Sequence, residues 1–362
     1  MIRLPVDIIN QIALYLDAIS GIRLQSITRY LRSNVVISNN FYDIDSRFLC
    51  NIDNTVLRRY SYITKVDISY NCGNIADPYL PEVIWLKSRM FVGNVALRYD
   101  LTNMRNLKVV ENVLIDRRRN KHYDILIMMY YDDSYRRYSP LYKHDRILIQ
   151  APCIKPYVLI LNTCGVSSES LINVSNVQVL QVIYNGLPST IRRSANPYVL
   201  IMKICEVYSV LGYLSNFEDM KMSNLKCMAH MILYMDITNA ELQLVIDSML
   251  VMYPALVELY IIVFHHCEVP MNIVLDQHPC IRYVKVVYIQ NQRHADTTCM
   301  QRSTTVYSNL IGVYTPSILD KVDDCRYSLN MVDICALYKH FDIPICEEMI
   351  DLFMESLRLV NI

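Results

Sequence analysis

Glycine is scarce, at 7 of 362 residues. Loops that cradle phosphate and turns that expose a nucleophile need glycine where backbone approaches a ligand. The scarcity therefore argues against a nucleotide-using enzyme, and no G-x-S-x-G turn of the hydrolase type occurs. The 12 cysteines are scattered and include no C-x-x-C pair. His265-His266-Cys267, Cys227 with His230, and His278 with Cys280 are the metal-like groupings, and none has the paired spacing of a structural zinc site. Adjacent histidines on a strand also point to opposite faces. Neither a metal nor an organic cofactor is expected. Net charge is missing too: 35 basic residues offset 35 acidic ones, so no global field draws the chain to nucleic acid or a membrane. The richest apolar run, Leu256 to Phe264, is nine residues long and contains Glu258, short of the roughly 20 residues a bilayer requires. Arg3 and Asp7 flank no unbroken apolar stretch, so no secretory leader is read. The cysteines are accordingly expected to be reduced, in a cytoplasmic or nuclear protein.

Hydrophobic residues make up 53% of the chain and charged ones 19%. A large core can form, and global disorder is excluded. The length suits two or three domains, or one small domain followed by a repeat array.

The N-terminus reads Leu4-Pro5-Val6-Asp7-Ile8-Ile9-Asn10-Gln11-Ile12 and continues to Leu16. Pro5 suits a first helical turn, and Asp7 complements the positive end of the helix dipole. Ile8, Ile12 and Leu16 repeat at four-residue spacing. After a break, Ser20 can cap a second helix whose stripe is Leu24, Ile27 and Leu31. Phe41 opens a third amphipathic piece. Periodicity alone leaves this as a helical hairpin capping a larger domain. Over about 40 residues, however, the stretch resembles an F-box, the three-helix module that docks on a Skp-type adaptor of cullin ubiquitin ligases. Leu4-Pro5, Asp7, the pair Ile8-Ile9, Ile12, Leu16 and Ile27 match its pattern. Tyr30-Leu31 stands where the family usually carries tryptophan. The resemblance implies an adaptor surface drawn from Leu4, Pro5, Ile8, Ile9, Ile12, Leu24 and Ile27.

Behind it lies an irregular repeat. The leucine-rich-repeat template places three apolar residues and then an Asn or Cys at fixed spacing. Ile63, Val66, Ile68 and Asn71 fit it, as do Met104, Leu107, Val109 and Asn112. Ile154, Tyr157, Leu159 and Asn162 fit, and so do Val177, Leu180, Val182 and Asn185. Leu256, Leu259 and Ile261, and then Ile281, Val284 and Val286, fit without the Asn. Independently, Pro156-Tyr157-Val158-Leu159-Ile160 recurs as Pro197-Tyr198-Val199-Leu200-Ile201, with Cys164 and Cys205 trailing at equal distance. Asn71, Asn112, Asn162 and Asn185 are expected to satisfy buried turn backbone after each strand. Outward strand residues are expected to line an open concave face.

The expected fold is therefore α/β. A three-helix F-box-like module (1–45) precedes a leucine-rich-repeat-like solenoid of parallel strands (46–300). A helical C-terminal cap or appendage (301–362) follows, with helices over Tyr327–His340 and Ile345–Val360. A general α/β domain with parallel strands is the competing architecture. Two basic runs, Arg117, Arg118, Arg119 and Lys121, then Arg136 and Arg137, are candidates for contact with a target or a phosphate. A solvated loop accounts for them equally. The expected function is a non-enzymatic substrate receptor that joins a Skp-type adaptor to an unidentified protein target. Nucleic acid and membrane are not expected partners. The alternative is a repeat scaffold without ligase role, its N-terminal helices acting as a solenoid cap.

Overall fold

The computed structural model describes residues 5–14, 24, 27–34, 42–44, 64–68, 82–88, 98–99, 101, 104–115, 123–131, 149–162, 169–183, 189–204, 210–215, 217, 219–232, 238–265, 280–290, 301–304, 331–343, 347 and 349–351. The protein is mixed α/β, and nearly all of its strand pairing is parallel. It divides into two compact units. One holds Met1–Tyr138 with Gln150–Ile154 and Met354–Ile362, the other Ser139–Ile149 with Lys155–Phe353.

The first unit contains helices α1 (Val6–Leu14) and α2 (Arg29–Asn34). Its strands are β1 (Tyr42–Ile44), β2 (Lys65–Ile68), β3 (Trp85–Ser88), β4 (Arg98–Tyr99), β5 (Val109–Glu111), β6 (Leu114–Ile115), β7 (Ile127–Tyr131) and β8 (Gln150–Ala151). Strands β1, β2, β3, β5 and β7 lie side by side in that order, each pair parallel. Strands β4 and β6 form a separate parallel pair.

The second unit runs β9 (Val158–Asn162), β10 (Leu171–Ile172), β11 (Val179–Ile183), α3 (Ser189–Ser194), β12 (Val199–Ile204), α4 (Val210–Ser215), β13 (Cys227–Ile232), α5 (Asn239–Met252), β14 (Glu258–His265), β15 (Tyr283–Gln290), β16 (Gln301–Thr304) and α6 (Met331–His340). Strands β9, β11, β12, β13, β14 and β15 pair in parallel. Strand β16 then pairs antiparallel on β15. Residues 301–304, expected to belong to a helical C-terminal cap or appendage, thus supply a strand. Helix α5 starts at a capping box. Thr238 Oγ1 accepts from the Glu241 N–H at 3.3 Å, and the Thr238 N–H donates to Glu241 Oε2 at 2.8 Å.

One backbone device recurs at the entry to strand after strand. A carbonyl accepts two successive N–H groups from the next strand's entry. In the first unit Thr64 O accepts from Ile84 and Trp85, Ile84 O from Lys108 and Val109, and Lys108 O from Leu126 and Ile127. In the second, Tyr157 O accepts from Gln178 and Val179, Gln178 O from Tyr198 and Val199, Tyr198 O from Lys226 and Cys227, Lys226 O from Val257 and Glu258, and Val257 O from Arg282 and Tyr283. These anchors are spaced from 18 residues (Lys108 to Leu126) to 31 (Lys226 to Val257). The second residue after each anchor is buried: Val66, Leu86, Val110 and Met128 in the first unit, then Leu159, Leu180, Leu200, Met228, Leu259 and Val284.

This frame corrects two template matches. In the match beginning at Ile154, Leu159 and not Tyr157 stands in register with Leu180, a shift of two residues that keeps the face. Val110, not Val109, stands in register with Leu86 and Met128. The match beginning at Met104 is displaced by an odd number of residues, which turns its strand residues to the opposite face. The physical reason is that apolar residues occupy both faces here, so periodicity could not choose between them. Asn112 consequently falls inside a turn. It is buried at φ 54°, and its N–H donates to Met129 O at 2.8 Å. Asn162 is the last residue of β9, opposite Ile183. Asn71 and Asn185 lie outside the described residues.

Asparagines before the strands, two residues ahead of the anchor, link successive turns. Asn106 Nδ2 donates to Glu82 Oε2 at 3.1 Å. Asn196 Oδ1 accepts from the Asn224 N–H at 3.0 Å, and Asn196 Nδ2 donates to Ser223 Oγ at 3.2 Å. The same turn closes when the residue before the anchor donates three positions back: Leu107 to Met104, Val177 to Val174, Leu225 to Met222 and Leu256 to Tyr253.

Candidate functional site

Two places in the chain combine unusual exposure or unusual burial with recognisable chemistry. The first is the N-terminal pair of helices. The Ile9 N–H donates to Pro5 O at 3.1 Å, which closes the first turn of α1. Thr28 interrupts the second predicted helix, because its Oγ1 accepts from the Leu31 N–H at 3.1 Å and so caps α2. Ile27, expected to share a buried stripe with Leu24 and Leu31, is instead exposed. Ile9 is 7% exposed and packs with the partly buried Leu24 and Leu31. Ile9 and, in part, Leu24 are thus engaged in packing within this segment. Ile8, Ile12, Ile27 and Tyr30 are 43%, 46%, 68% and 39% exposed. Four of the nine exposed large hydrophobic side chains among the described residues thus fall in this N-terminal segment. Ile8 and Ile12 are one helical turn apart and share a side of α1. Pro5 is exposed beside them, and Leu4 lies outside the described residues.

The second place lies on one face of the second unit's strands. The residues directly after the anchors form a row across β9 to β15: Val158, Val179, Val199, Cys227, Glu258 and Tyr283. Two residues further along, Ile160, Gln181, Ile201, Ala229 and Tyr260 occupy the same face. All of these side chains are buried. The open concave face expected from the template is thus covered here. Near-continuous apolar strands such as Val158-Leu159-Ile160-Leu161 are what a sheet covered on both sides requires.

Glu258 is the single acid among these two rows. Its Oε1 lies 2.6 Å from His340 Nε2 at the end of α6, and its Oε2 accepts from the Tyr260 hydroxyl at 3.2 Å. Tyr260 and Tyr283 stack at a tilt, with centroids 5.2 Å apart. The hydrogen bond to Glu258 raises the His340 pKa above its ordinary 6.5, against the opposing effect of burial. Burial, and then the nearby Glu258 charge, push the Cys227 thiol well up. That thiol is held protonated and is a poor nucleophile. Cys227 and His230 are three residues apart on β13, so they fall on opposite faces. Among the described residues no group of three His, Cys, Asp or Glu side chains is placed to hold a metal ion.

Sequence reasoning noted Glu258 only as the charge inside the richest apolar run. A lone acid within a buried strand was itself the available signal. Its partner, 82 positions away, had none. The basic residues Arg117, Arg118, Arg119, Lys121, Arg136 and Arg137 lie outside the described residues. No helix among the described residues is long and apolar enough to cross a membrane. No family model matches this chain, and no curated protein or solved structure matches it either.

Proposed function

We propose that this chain is an F-box-type receptor of a cullin ubiquitin ligase. Its N-terminal helices dock a Skp-type adaptor, and its repeat surface holds a protein target. The observation that carries this reading is the division of labour in the N-terminal helices. Ile9, Leu24 and Leu31 are spent on internal packing, while Ile8, Ile12 and Ile27 remain outside with Tyr30. Exposed aliphatic side chains on short helices are costly in water unless a partner covers them. The recurrent anchor carbonyl, the asparagines two residues ahead of it and the duplicated Pro-Tyr segment support a leucine-rich-repeat-like solenoid over 46–300. Helix α6 belongs to the C-terminal cap in this division. The receptor has no chemistry of its own. It raises the effective concentration of a bound target near the ubiquitin carrier.

The alternative, a scaffold whose N-terminal helices cap the solenoid, needs Ile8, Ile12 and Ile27 packed inward. Their exposure favours the receptor. The test is co-purification of a Skp-type adaptor with the full chain and with its Ile8→Asp/Ile12→Asp variant. Capture by the full chain, lost in a variant that keeps its thermal midpoint, is the expected result. Equal capture by both, or none by either, overturns the reading.

A further inference from the structure

The entries to the second unit's strands form an ordered rim. Tyr157, Gln178, Tyr198, Lys226, Val257 and Arg282 stand side by side there. The N–H of each donates to the carbonyl of the one before it, at 2.7 to 2.8 Å. This ladder puts the six in one row across six strands. Two positions earlier runs a second row: Lys155, then Asn176, Asn196 and Asn224, then Ala255 and Cys280. The residue between the rows is buried in the first five turns and half-buried, as Ile281, in the sixth. Members of both rows are half-buried or exposed. Each turn thus tucks one apolar residue inward and leaves the two beside it at the surface. Charge separates this rim from its counterpart in the first unit. Its twelve positions hold three cations, Lys155, Lys226 and Arg282, and no acid. The six equivalent described positions of the first unit hold Glu82 and Asp124 against Lys108. Lys226 and Arg282 pair with no acid among the described residues. Glu258, next to Val257, points to the opposite face and meets His340. Exposed Asp219 lies seven positions ahead of Lys226, outside both rows.

We propose that this rim holds an extended acidic segment of a partner protein. Adjacent strands lie about 4.8 Å apart, so the row of six spans roughly 24 Å. Lys226 and Arg282 are two strands apart, roughly 10 Å. An extended segment rises about 3.3 Å per residue, so carboxylates two or three residues apart come within reach of both cations. Val257 lies between the cations and meets an apolar residue between those carboxylates. Tyr198, on the other side of Lys226, offers its hydroxyl as a further donor. Lys226 is half-buried, so part of its side-chain freedom is already lost before the segment binds. The density of charge selects a peptide over a nucleic acid. A helical nucleic-acid strand carries one phosphate per about 3.4 Å, against one cation per roughly 10 Å along this rim. Only the identity of the partner as a ligase target rests on the receptor reading.

The test is fluorescence anisotropy at low salt, with the full chain and a labelled Glu-Val-Glu-Val-Glu-Val-Glu peptide. A Lys226→Gln/Arg282→Gln variant is expected to bind the peptide about ten-fold more weakly. Arg282→Gln alone, at an exposed position, should lose about three-fold, which keeps the test open if the double variant does not fold. Arg105→Gln removes one exposed cation from the first unit and should bind within about two-fold of the unaltered chain. Added salt should weaken the unaltered chain more than the double variant. A loss in Arg105→Gln equal to that in Arg282→Gln assigns the binding to general charge and overturns the rim. Absence of binding to the unaltered chain overturns it too, as does tighter binding of a labelled oligouridylate carrying the same number of charges. No adaptor is present in this experiment. Loss of adaptor capture with peptide binding intact would sink the receptor reading and leave the rim standing.

Discussion

The two units share one backbone device and differ in what they put on the same strand face. In the first unit the row after the anchors opens with Lys65 and Trp85. The Lys65 Nζ lies 5.6 Å from the indole centroid, and Lys65 is buried. Two residues along, Lys87 Nζ and Glu111 Oε1 pair at 2.7 Å, with the lysine a third exposed. In the second unit the described side chains of the equivalent rows are mostly aliphatic and aromatic, with Cys227, Gln181 and one acid, Glu258, whose partner His340 comes from a distant helix. The anchor carbonyls take no part in choosing side chains, so a repeat can vary its face freely while keeping its register. What varies is the source of compensation. The first unit pairs charges between adjacent strands, and the second brings the partner of its acid from 82 residues away.

That contrast can be broken at its most costly point first. Leu180→Ala, in the buried row of the second unit, should cost about 3 kcal/mol in urea unfolding, since a close-packed site collapses poorly around a cavity. Next, Glu258→Ala should cost about 2 kcal/mol by leaving the Tyr260 hydroxyl and His340 without their acceptor. Lys87→Ala should cost less than about 1 kcal/mol, because that pair is partly in water. If the two substitutions cost the same, the distinction between units is lost.

Smaller effects concern the glycine-poor turns. Asp342→Gly should stabilise by up to about 1 kcal/mol, because this exposed position has positive φ. The smallest effect is in pH. The folded-state pKa of His340 is raised, so its contribution is complete below about 6.5 and is lost as pH rises through the folded value. Stability of the full chain should therefore decline gently above pH 6.5, and His340→Gln should flatten that decline. A decline of the same size in the variant would assign it to other groups.

Much of the strand placement was legible in advance. Leu159, Leu180, Leu259 and Val284, all taken from spacing, lie in one buried row of paired strands. The template failed where both faces are apolar, at Val109 and Val110, since alternation carries no information there. Asn106 and Asn196, whose contacts link successive turns from a place before the strands, were not singled out. Met104-Arg105-Asn106-Leu107-Lys108 and Met222-Ser223-Asn224-Leu225-Lys226 repeat the turn that links the coils, and they were readable in the sequence. At the N-terminus, helical periodicity found Ile8, Ile9 and Ile12 but could not say which side faces inward.

What the sequence determined by itself is local. Proline, threonine and acid positions start helices, β-branched and leucine runs make strands, and scarcity of glycine forces Asn112 and Asp342 into left-handed turns. The tertiary structure alone decided three things: that Ile9 faces inward while Ile8 and Ile12 face out, that the strand face of the second unit is covered, and that Glu258 meets His340. Each depends on groups far apart in the chain. Spacing describes the neighbours a residue has along its own element, and packing chooses those it meets from another.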